Sequence, residues 1–392
     1  MADPDRIRNV ADYVARRHKR GDDLVLVVSA MGKETDELLR LAQEVSDTRP
    51  GREMDMLITT GERKATALVC MALHDLGVPA DSFTGSQAGF LTDTNHTNAK
   101  ILQVQPDRVL DSVRKRRVAV VGGSQGVSTD HDITFLGRGG SDTTAVALAH
   151  ALGADACELY TDVSGVFTAD PRVVDEARRM EQVSFDEMLE MCASGCPKPA
   201  MRSVEFARTW SVPLHVRSSF TWEPGTWITE EDPDMEDAIV SAVTHEESEA
   251  KVTVTGVPDR PGIAATLFRR LADADVNLDM IVQNVSVNGV TNISFTVPQA
   301  DLGVALEICN DYVADIDAAG VVPKDTIGKV SLVGAGMKTN PGVAAKVFET
   351  LADNGINIEM ISTSAIRISC VVPEEQVERA VVVLHAAFGL DN

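Results

Sequence analysis

The chain has 392 residues, 44% of them hydrophobic, and its 36 basic and 59 acidic residues leave a formal net charge of −23. This length exceeds one compact core and predicts two or three domains, while the acidic surface disfavours nucleic acid as a partner because it repels phosphate backbones. The polar N-terminal segment MADPDRIRNV lacks a signal-peptide core, and no apolar run approaches the ~20 residues that span a bilayer, so we expect a cytoplasmic protein without membrane contact.

The cysteines and histidines show no spacing that is typical of a metal site. The cysteines stand at positions 70, 157, 192, 196, 309 and 370, without a CxxC pair. Reduced, buried thiols fit this pattern better than disulfides or zinc ligands. We therefore expect neither disulfides nor a resident metal ion.

The first two-thirds of the chain alternates strand-like apolar runs with longer amphipathic segments. The predicted strands lie within residues 23–30, 118–123, 157–167 and 212–219, and the predicted helices within 35–45 and 137–154. Such alternation predicts a parallel or mixed sheet that helices cover on both faces. The acidic stretch 221–236, which contains two prolines, is typical of a linker.

An internal repeat follows this linker, with copies at about residues 251–315 and 329–388. Each copy predicts a strand, a Pro-Gly turn, a helix, two strands and a second helix, the order of a small ferredoxin-like unit. In the turn, proline presets φ and glycine lets a ligand approach the helix N-terminus. A single turn without a ligand would look the same, but two copies in one chain favour paired sensor modules.

The glycine-rich turn at residues 137–142, GRGGSD, precedes a predicted helix. Its backbone N–H groups and the helix dipole favour an anion there. The guanidinium of Arg138 can bind a carboxylate or phosphate through two hydrogen bonds. Asp142 either orients a charged partner or a metal ion, or caps the helix. Ser141 lies between Arg138 and Asp142 in the sequence.

Other turns supply further candidates. The acidic turn at residues 160–172, YTDVSGVFTADPR, leaves a strand end, where α/β sheets usually bind ligands. Within it, Phe167 either faces a purine base or packs in the core, and Arg172 either neutralises a phosphate or caps a turn. Thr35 either binds a polar substrate or caps a helix, and Glu62 either pairs with an ammonium group or complements a helix dipole. No GxxxxGK[ST] sequence is present, which excludes a P-loop site.

These motifs together resemble the aspartate kinases of actinobacterial type, within the wider amino-acid-kinase fold. The resemblance rests on SAMGKETDELL, TTGER, SFTGSQAG, FLGRGGSDTTAVALA, YTDVSGVFTADPR, HVRSSF, QNVS and EMISTS, and it covers nearly the whole chain. It implies an αβα sandwich over residues 1–220 followed by two ACT domains of βαββαβ type within 237–392. The implied reaction is the phosphorylation of the L-aspartate side-chain carboxylate by ATP with Mg²⁺, the first step towards lysine, threonine and methionine, under feedback control by lysine and threonine.

The resemblance also assigns roles to individual residues. The residues that it implies for aspartate are Ser29, Thr35, Glu62 (for the ammonium), Arg138 and Ser141, with Asp142 and Arg138 as catalytic groups. Those implied for ATP are Thr161, Asp162, Phe167, Arg172 and Lys198. Those implied for effectors are Asp259, Gly262, Ile263, Ala264, Asp279, Gln283, Asn357, Ile358 and Ser364.

The sequence departs from the family at several positions. The family opens with a strand carrying Lys-x-Gly-Gly-Ser, and this sequence begins past that point, so we expect a kinase domain without that strand and its lysine. Pro197 and Pro199 flank Lys198 and predict a broken helix there. Ser124 stands where the family generally has phenylalanine.

Two departures concern regulation. Ala365 and Asn292 replace family carboxylates, which predicts weaker sensitivity to lysine. Met235 either matches the internal start from which actinobacterial members make a separate small subunit or is an ordinary methionine. The expected partners are a homo-oligomer or an ACT-only subunit. The alternative function is a catalytically impaired, amino-acid-binding regulatory subunit or pseudokinase; a kinase acting on another acidic amino acid is a third possibility.

Overall fold

The computed structural model describes residues 3–230, 239–286, 288–338 and 340–391. Met235 lies outside these residues. The described chain divides into two compact units. The first comprises residues 3–166, 180–189 and 197–230, and the second comprises 167–179, 190–196 and the described residues from 239 onward. No helix among the described residues combines the length and apolar character needed to cross a membrane.

The first unit alternates helices and strands, as the sequence predicts. Its helices are α1 (Pro4–Arg20), α2 (Glu34–Val45), α3 (Gly51–Ile58), α4 (Thr60–Asp75), α5 (Asp107–Arg114), α6 (Gly140–Leu152), α7 (Phe185–Ala193), whose end belongs to the second unit, and α8 (Met201–Thr209). Its strands are β1 (Val25–Val28), β2 (Ala80–Phe83), β3 (Phe90–Thr92), β4 (Ile101–Val104), β5 (Val118–Gly122), β6 (Gln125–Ser128), β7 (Ile133–Phe135), β8 (Cys157–Thr161), β9 (Gln182–Ser184), β10 (Leu214–Ser218) and β11 (Thr226–Thr229).

These strands form three sheets, ordered β1-β5-β2, β8-β10-β11-β9 and β4-β3-β6-β7. The first is parallel throughout, and the other two are mixed. β5 is completely buried because its side chains alternate between two helix layers. Val118 and Val120 pack with α1 and α4, whereas Ala119 and Val121 pack with α6. The predicted αβα sandwich is therefore confirmed.

The expected linker at 221–236 is shorter than the sequence indicates. β11 lies inside that stretch and pairs with β10 and β9, with Thr226 and Ile228 fully buried. The acidic residues and prolines around it concealed this short strand. Residues 231–238 lie outside the described part of the chain.

The second unit is built on one six-stranded antiparallel sheet with the order β13-β14-β12-β15-β17-β16. Its strands are β12 (Ala242–Pro258), β13 (Ile281–Gln283), β14 (Val290–Pro298), β15 (Gly320–Val333), β16 (Met360–Thr363) and β17 (Arg367–Pro373). Its helices are α9 (Ile263–Asp273), α10 (Leu302–Ile316), α11 (Val343–Asp353) and α12 (Val377–Ala387). The element order predicted for each repeat is present.

The two repeats share their central strands, which the sequence repeat does not reveal. Residues 242–246 of β12 pair with 329–333 of β15, and residues 251–255 pair with 320–324. A segment that precedes the first copy therefore completes the second, and a segment that precedes the second completes the first. The expected boundaries at 251–315 and 329–388 mark sequence similarity rather than independently folded modules, because each copy needs strand residues outside them.

Candidate active site and effector pocket

Four chain segments converge where β1 and β5 end. The two strands are parallel, and Val28 pairs with Gly122, so both end at the same edge. A Cβ added at Gly61, just before Glu62, would lie only 2.8 Å from the Ala30 Cβ, and one added at Gly123 would lie 2.5 Å from the Ser141 Oγ. The starts of α4 and α6 thus meet the ends of β1 and β5, which is the usual ligand position in an α/β sheet.

Three serine hydroxyls meet at this edge. Ser29 Oγ donates a hydrogen bond to Ser141 Oγ at 2.7 Å, and Ser124 Oγ lies 3.1 Å from the same atom. Ser124 has a left-handed backbone, with φ of 57°, which turns the chain between β5 and β6. The structure therefore brings the predicted residues Ser29 and Ser141 together and adds Ser124 to them.

Glu62 supplies a buried carboxylate beside these hydroxyls. It lies in the first turn of α4 with 3% exposure, and its Cβ lies 3.4 Å from a Cβ added at Gly122. Burial raises the pKa of Glu62 to about 7, although backbone amides of Glu62 and Ala30 bind the carboxylate and oppose the shift. Its Oε2 has no hydrogen-bond partner among the described residues, so this oxygen suits a cationic ligand group.

Glu34 is a second acid here, half-buried, that the sequence did not indicate. Its Oε2 also has no partner among the residues described, and its other oxygen lies 2.5 Å from Lys64 Nζ. Thr35 follows it inside the first turn of α2, whose cap position is Lys33. The capping interpretation of Thr35 is therefore wrong, and its half-buried hydroxyl stays a candidate for substrate binding.

The glycine-rich turn begins α6 with two left-handed glycines. Gly137 has φ of 86° and Gly139, the cap residue, has φ of 72°. The Arg138 side chain between them is 93% exposed, and its Nη2 lies 3.8 Å from Asp36 Oδ1 in α2. Arg138 is thus accessible to an anionic ligand and is only weakly engaged by the protein.

Asp142 does not cap α6, because Gly139 occupies the cap position. Its Oδ2 instead accepts a hydrogen bond from the Ala200 N–H at 3.2 Å. Ala200 follows the Pro197–Lys198–Pro199 segment, where the predicted helix break is confirmed: α7 ends at Ala193 and α8 begins at Met201. The segment that carries the exposed Lys198 is therefore joined to the glycine-rich turn by the Ala200 N–H, two residues further along the chain.

The residues predicted for ATP divide between the two units. Thr161, at the end of β8, accepts the Val163 N–H at 3.0 Å, and Asp162 is exposed next to it. Phe167 and Arg172 belong to the second unit. There Arg172 binds Asp170, with Nη2 2.6 Å from Oδ2, so its guanidinium is engaged within its own turn.

Five predicted effector residues line one cavity in the first repeat, with a volume of about 320 Å³. They are Asp259, Gly262, Ile263, Ala264 and Gln283. Gly262 has φ of 95° at the start of α9, which leaves the helix N-terminus open towards a ligand. Its volume lies at the lower end of the range of small-molecule sites.

Asp279 does not line that cavity, unlike the other predicted residues of its repeat. Its carboxylate binds Lys329 of the second repeat, a buried cation that also lies 3.6 Å from Glu249. At the repeat-related position, Glu359 binds Lys251 at 2.8 Å and also Lys324. Asp279 therefore joins the repeats, which sequence similarity to effector positions could not reveal.

The three effector candidates in the second repeat have separate surroundings among the described residues. Asn357 is exposed, and Ile358 packs against the core of the unit. Ser364 Oγ donates to Glu190 Oε1 at 2.8 Å, so its hydroxyl is used by the end of α7. Asn292, one of the positions lacking a family carboxylate, accepts the Gly256 N–H at 3.0 Å.

The comparisons confirm the family inferred from the motifs. Residues 1–218 match the amino acid kinase family, and residues 252–312 and 330–388 match the ACT domain. The chain is 53% identical over 395 residues to the aspartokinase of Mycolicibacterium smegmatis, spanning 100% of this chain and 94% of the relative. It is 52% identical over 391 residues to the aspartokinase of Corynebacterium efficiens, spanning 98% of this chain and 93% of the relative.

Two solved structures agree with these relatives. Aspartate kinase from Synechocystis matches 99% of this chain and 67% of its own, with 41% identity and a TM-score of 0.55. E. coli aspartokinase III in complex with aspartate and ADP matches 98% of this chain and 97% of its own with a TM-score of 0.81, and at 23% identity it supports the fold alone. This chain therefore belongs to the aspartokinase family, as a kinase whose amino-acid-kinase domain is followed by two ACT domains.

Proposed function

We propose that the edge formed by β1, β5, α4 and α6 binds L-aspartate for phosphorylation of its side-chain carboxylate by ATP. The observation that carries this assignment is Glu62, a buried carboxylate with an unpartnered oxygen beside three hydroxyls. A buried carboxylate is costly without a cation, and the ammonium group of an amino acid supplies one. Glu34 adds a second unpartnered oxygen at the same place.

The α-carboxylate of the amino acid meets positive groups. The α6 N-terminus and the exposed Arg138 guanidinium bind a carboxylate favourably. The Ser141 hydroxyl is a further donor for this carboxylate, and the Ser29 hydroxyl, which binds it, is another contact for the substrate. A dicarboxylic amino acid thereby matches the site in charge and in hydrogen bonding.

The chemical step requires positioning more than proton transfer. An oxygen of the substrate's side-chain carboxylate attacks the γ-phosphorus of ATP, the bond from that phosphorus to the β–γ bridging oxygen breaks, and ADP leaves. No base is needed because the carboxylate is already ionised at neutral pH. Lys198 neutralises phosphate charge, and Asp142 holds the segment that carries it.

Mg²⁺ enters with ATP as part of the substrate. Within the described ranges, no group of three His, Cys, Asp or Glu side chains is close enough to hold a metal ion. Mg²⁺ is commonly held by substrate phosphates with only one or two protein carboxylates, so its binding together with ATP does not require a group of three protein ligands. Thr161 and Asp162 remain proposed contacts of that complex.

A coupled assay of ADP release tests the proposal. We expect release with L-aspartate and not with L-glutamate or buffer alone, and loss of about 10²-fold in kcat/KM for aspartate in Glu62→Gln, because a charged hydrogen bond is lost. Glu53→Gln serves as the control, because Glu53 is an exposed residue on α3. Absence of aspartate-dependent ADP release from the purified chain would favour the impaired regulatory subunit instead.

We also propose that the first-repeat cavity binds threonine as an effector and that lysine acts weakly. Gln283 and Asp259 line the cavity and offer amide and carboxylate groups to an amino acid. The lysine part rests on Ala365 and Asn292, which remove carboxylates that could bind an ammonium group. Calorimetry with each amino acid on the wild type and on Gln283→Ala tests this effector proposal. Tight binding of lysine would contradict its second part.

We also propose that the chain forms a homo-oligomer or associates with an ACT-only subunit. Light scattering of the purified chain, with and without effector and with and without an added ACT-only subunit, measures this association.

A further inference from the structure

Arg202, in the first turn of α8, contacts the two chain segments that lead to the glycine-rich turn. Its Nη1 donates to the Leu136 carbonyl at 3.0 Å and its Nη2 to the Ala99 carbonyl at 3.1 Å. Leu136 immediately precedes Gly137, and the Ala99 N–H binds the Phe135 carbonyl at 2.9 Å. The guanidinium therefore joins two neighbouring backbones at the base of the turn, with charge-assisted hydrogen bonds.

This cation has no carboxylate within 4.0 Å in the part of the chain that the structure describes. Burial lowers the pKa of Arg202, and the more distant Asp93 and Glu205 oppose the shift. A guanidinium remains charged at neutral pH even so. Arg202 thus places a positive charge without a directly paired carboxylate beside a turn that is proposed to receive anions, in a chain whose net charge is −23.

The segment before Arg202 is attached to the same turn at two further points. The Ala200 N–H donates to Asp142 Oδ2 at 3.2 Å. The Ala200 Cβ lies only 2.7 Å from a Cβ built at Gly139, so only glycine lets the segment pack this closely. Ser203 Oγ also donates to the Ala200 carbonyl at 2.6 Å, which braces the start of α8. Together with the hydrogen bonds of Arg202, the two contacts of Ala200 attach the chain to the turn within four residues of Lys198.

We infer that Arg202 is a positioning residue that holds the Lys198 segment against the glycine-rich turn, so that the Lys198 ammonium reaches the phosphates of ATP. The inference rests on the proposed function for the identity of the anion. Arg202 itself acts through Lys198 and the turn. Its hydrogen bonds are accepted by backbone carbonyls, so they connect α8 to the turn whichever substrate is bound.

A double-mutant cycle tests this role, with the full chain as the protein. Arg202→Gln keeps amide donors, but it removes the positive charge and the simultaneous hydrogen bonds to the Leu136 and Ala99 carbonyls. We expect kcat/KM for ATP to fall about 100-fold, as misplacement by about 1 Å does, while Arg202→Lys recovers about 10-fold of it. Lys198→Ala should cost about 10-fold or more in the wild type but less than about 3-fold in Arg202→Gln, because the lysine is then already misplaced.

Arg208→Gln provides the matched control, since Arg208 lies on the same helix but is exposed and pairs with Asp186 at 2.8 Å. It should leave both kinetic constants unchanged. Multiplicative effects of the Arg202 and Lys198 substitutions would overturn the inference, as would an unaffected Lys198→Ala variant. Thermal unfolding shows whether a loss of activity reflects loss of the fold; the rescue by lysine and the coupling to Lys198 are not expected from instability alone.

Hydrogen exchange gives a readout that does not depend on activity. In Arg202→Gln, peptides covering residues 197–203 should exchange faster, because the Ala200 amide loses its support, whereas Arg208→Gln should leave them unchanged. Unchanged exchange in Arg202→Gln would overturn the positioning role. A wild type without kinase activity but with this exchange pattern would contradict the proposed function and leave the anchoring role of Arg202 supported.

Discussion

Thr168 and His385 are 217 positions apart in the sequence, yet Thr168 Oγ1 and His385 Nε2 lie 2.9 Å apart in the core of the second unit. The Thr168 carbonyl also accepts the Val243 N–H at 2.8 Å. Phe167 and Arg172, which resemble nucleotide-site residues, therefore belong to a segment that is anchored in the ACT core. Residues 167–179 are therefore held by hydrogen bonds within the second unit, although they follow β8 closely in the sequence.

His385 should make the second unit sensitive to acid. Burial lowers the pKa of His385; Arg178 acts in the same direction, and Asp391 and Glu176 oppose it. Because the folded pKa lies below the unfolded value, stability is complete above about pH 6.5 and is lost as pH falls below it. Urea unfolding should show a lower free energy of unfolding at pH 5.5 than at pH 7.5, and His385→Gln should reduce this difference. An equal loss in both proteins would contradict this.

Glu62 should control the pH dependence of aspartate use. Its pKa is raised to about 7 by burial, and only the carboxylate form pairs with an ammonium group. We therefore expect kcat/KM for aspartate to rise with pH through about 7, the value for the free enzyme. Steady-state kinetics from pH 5.5 to 8.5 measure it. In Glu62→Gln the rise should disappear together with most of the activity, and a persisting rise would assign it to another group.

Lys329 should contribute more to stability than its repeat-related counterpart Lys251. Lys329→Met leaves the carboxylates of Asp279 and Glu249 without their cation, which should cost about 3 kcal/mol or more. Lys251→Met is the matched control, because Glu359 keeps Lys324, and should cost about 1 kcal/mol. Urea denaturation at pH 7 measures both. Equal costs would mean that the two ion-pair clusters do not differ as their geometry indicates.

Gly139 should be more sensitive to substitution than Gly153, the other left-handed glycine that flanks α6. Gly153→Ala, with φ of 61° and nothing within 4 Å of the new Cβ, should cost only the backbone strain of about 1 kcal/mol. Gly139→Ala adds a contact of 2.7 Å with Ala200 Cβ, so it should also raise KM for ATP by displacing the Lys198 segment. Thermal unfolding and ATP kinetics separate the two effects. Equal kinetics in both variants would contradict the close packing of Ala200 on the turn.

Local patterns were sufficient for most elements of the fold. The periodicity of apolar residues predicted β1, β5 and α6, and the Pro-Gly turns predicted the starts of α9 and α11 at Gly262 and Gly342. These features depend on residues close together in the chain, so propensity and turn chemistry describe them. The short strand β11 was missed because its neighbours have the composition of a loop.

The sequence by itself determined the family, the order of the two kinds of domain and the candidate residues at strand ends and helix starts. Tertiary structure alone decided that β12 and β15 each serve both repeats, that Asp279 binds Lys329, and that Arg202 supports the glycine-rich turn. Motifs record residues that are near in sequence. Only the folded chain brings distant partners within hydrogen-bond distance. The strands shared by the two repeats, the ion pairs between repeats and the contacts of Arg202 all depend on such partners.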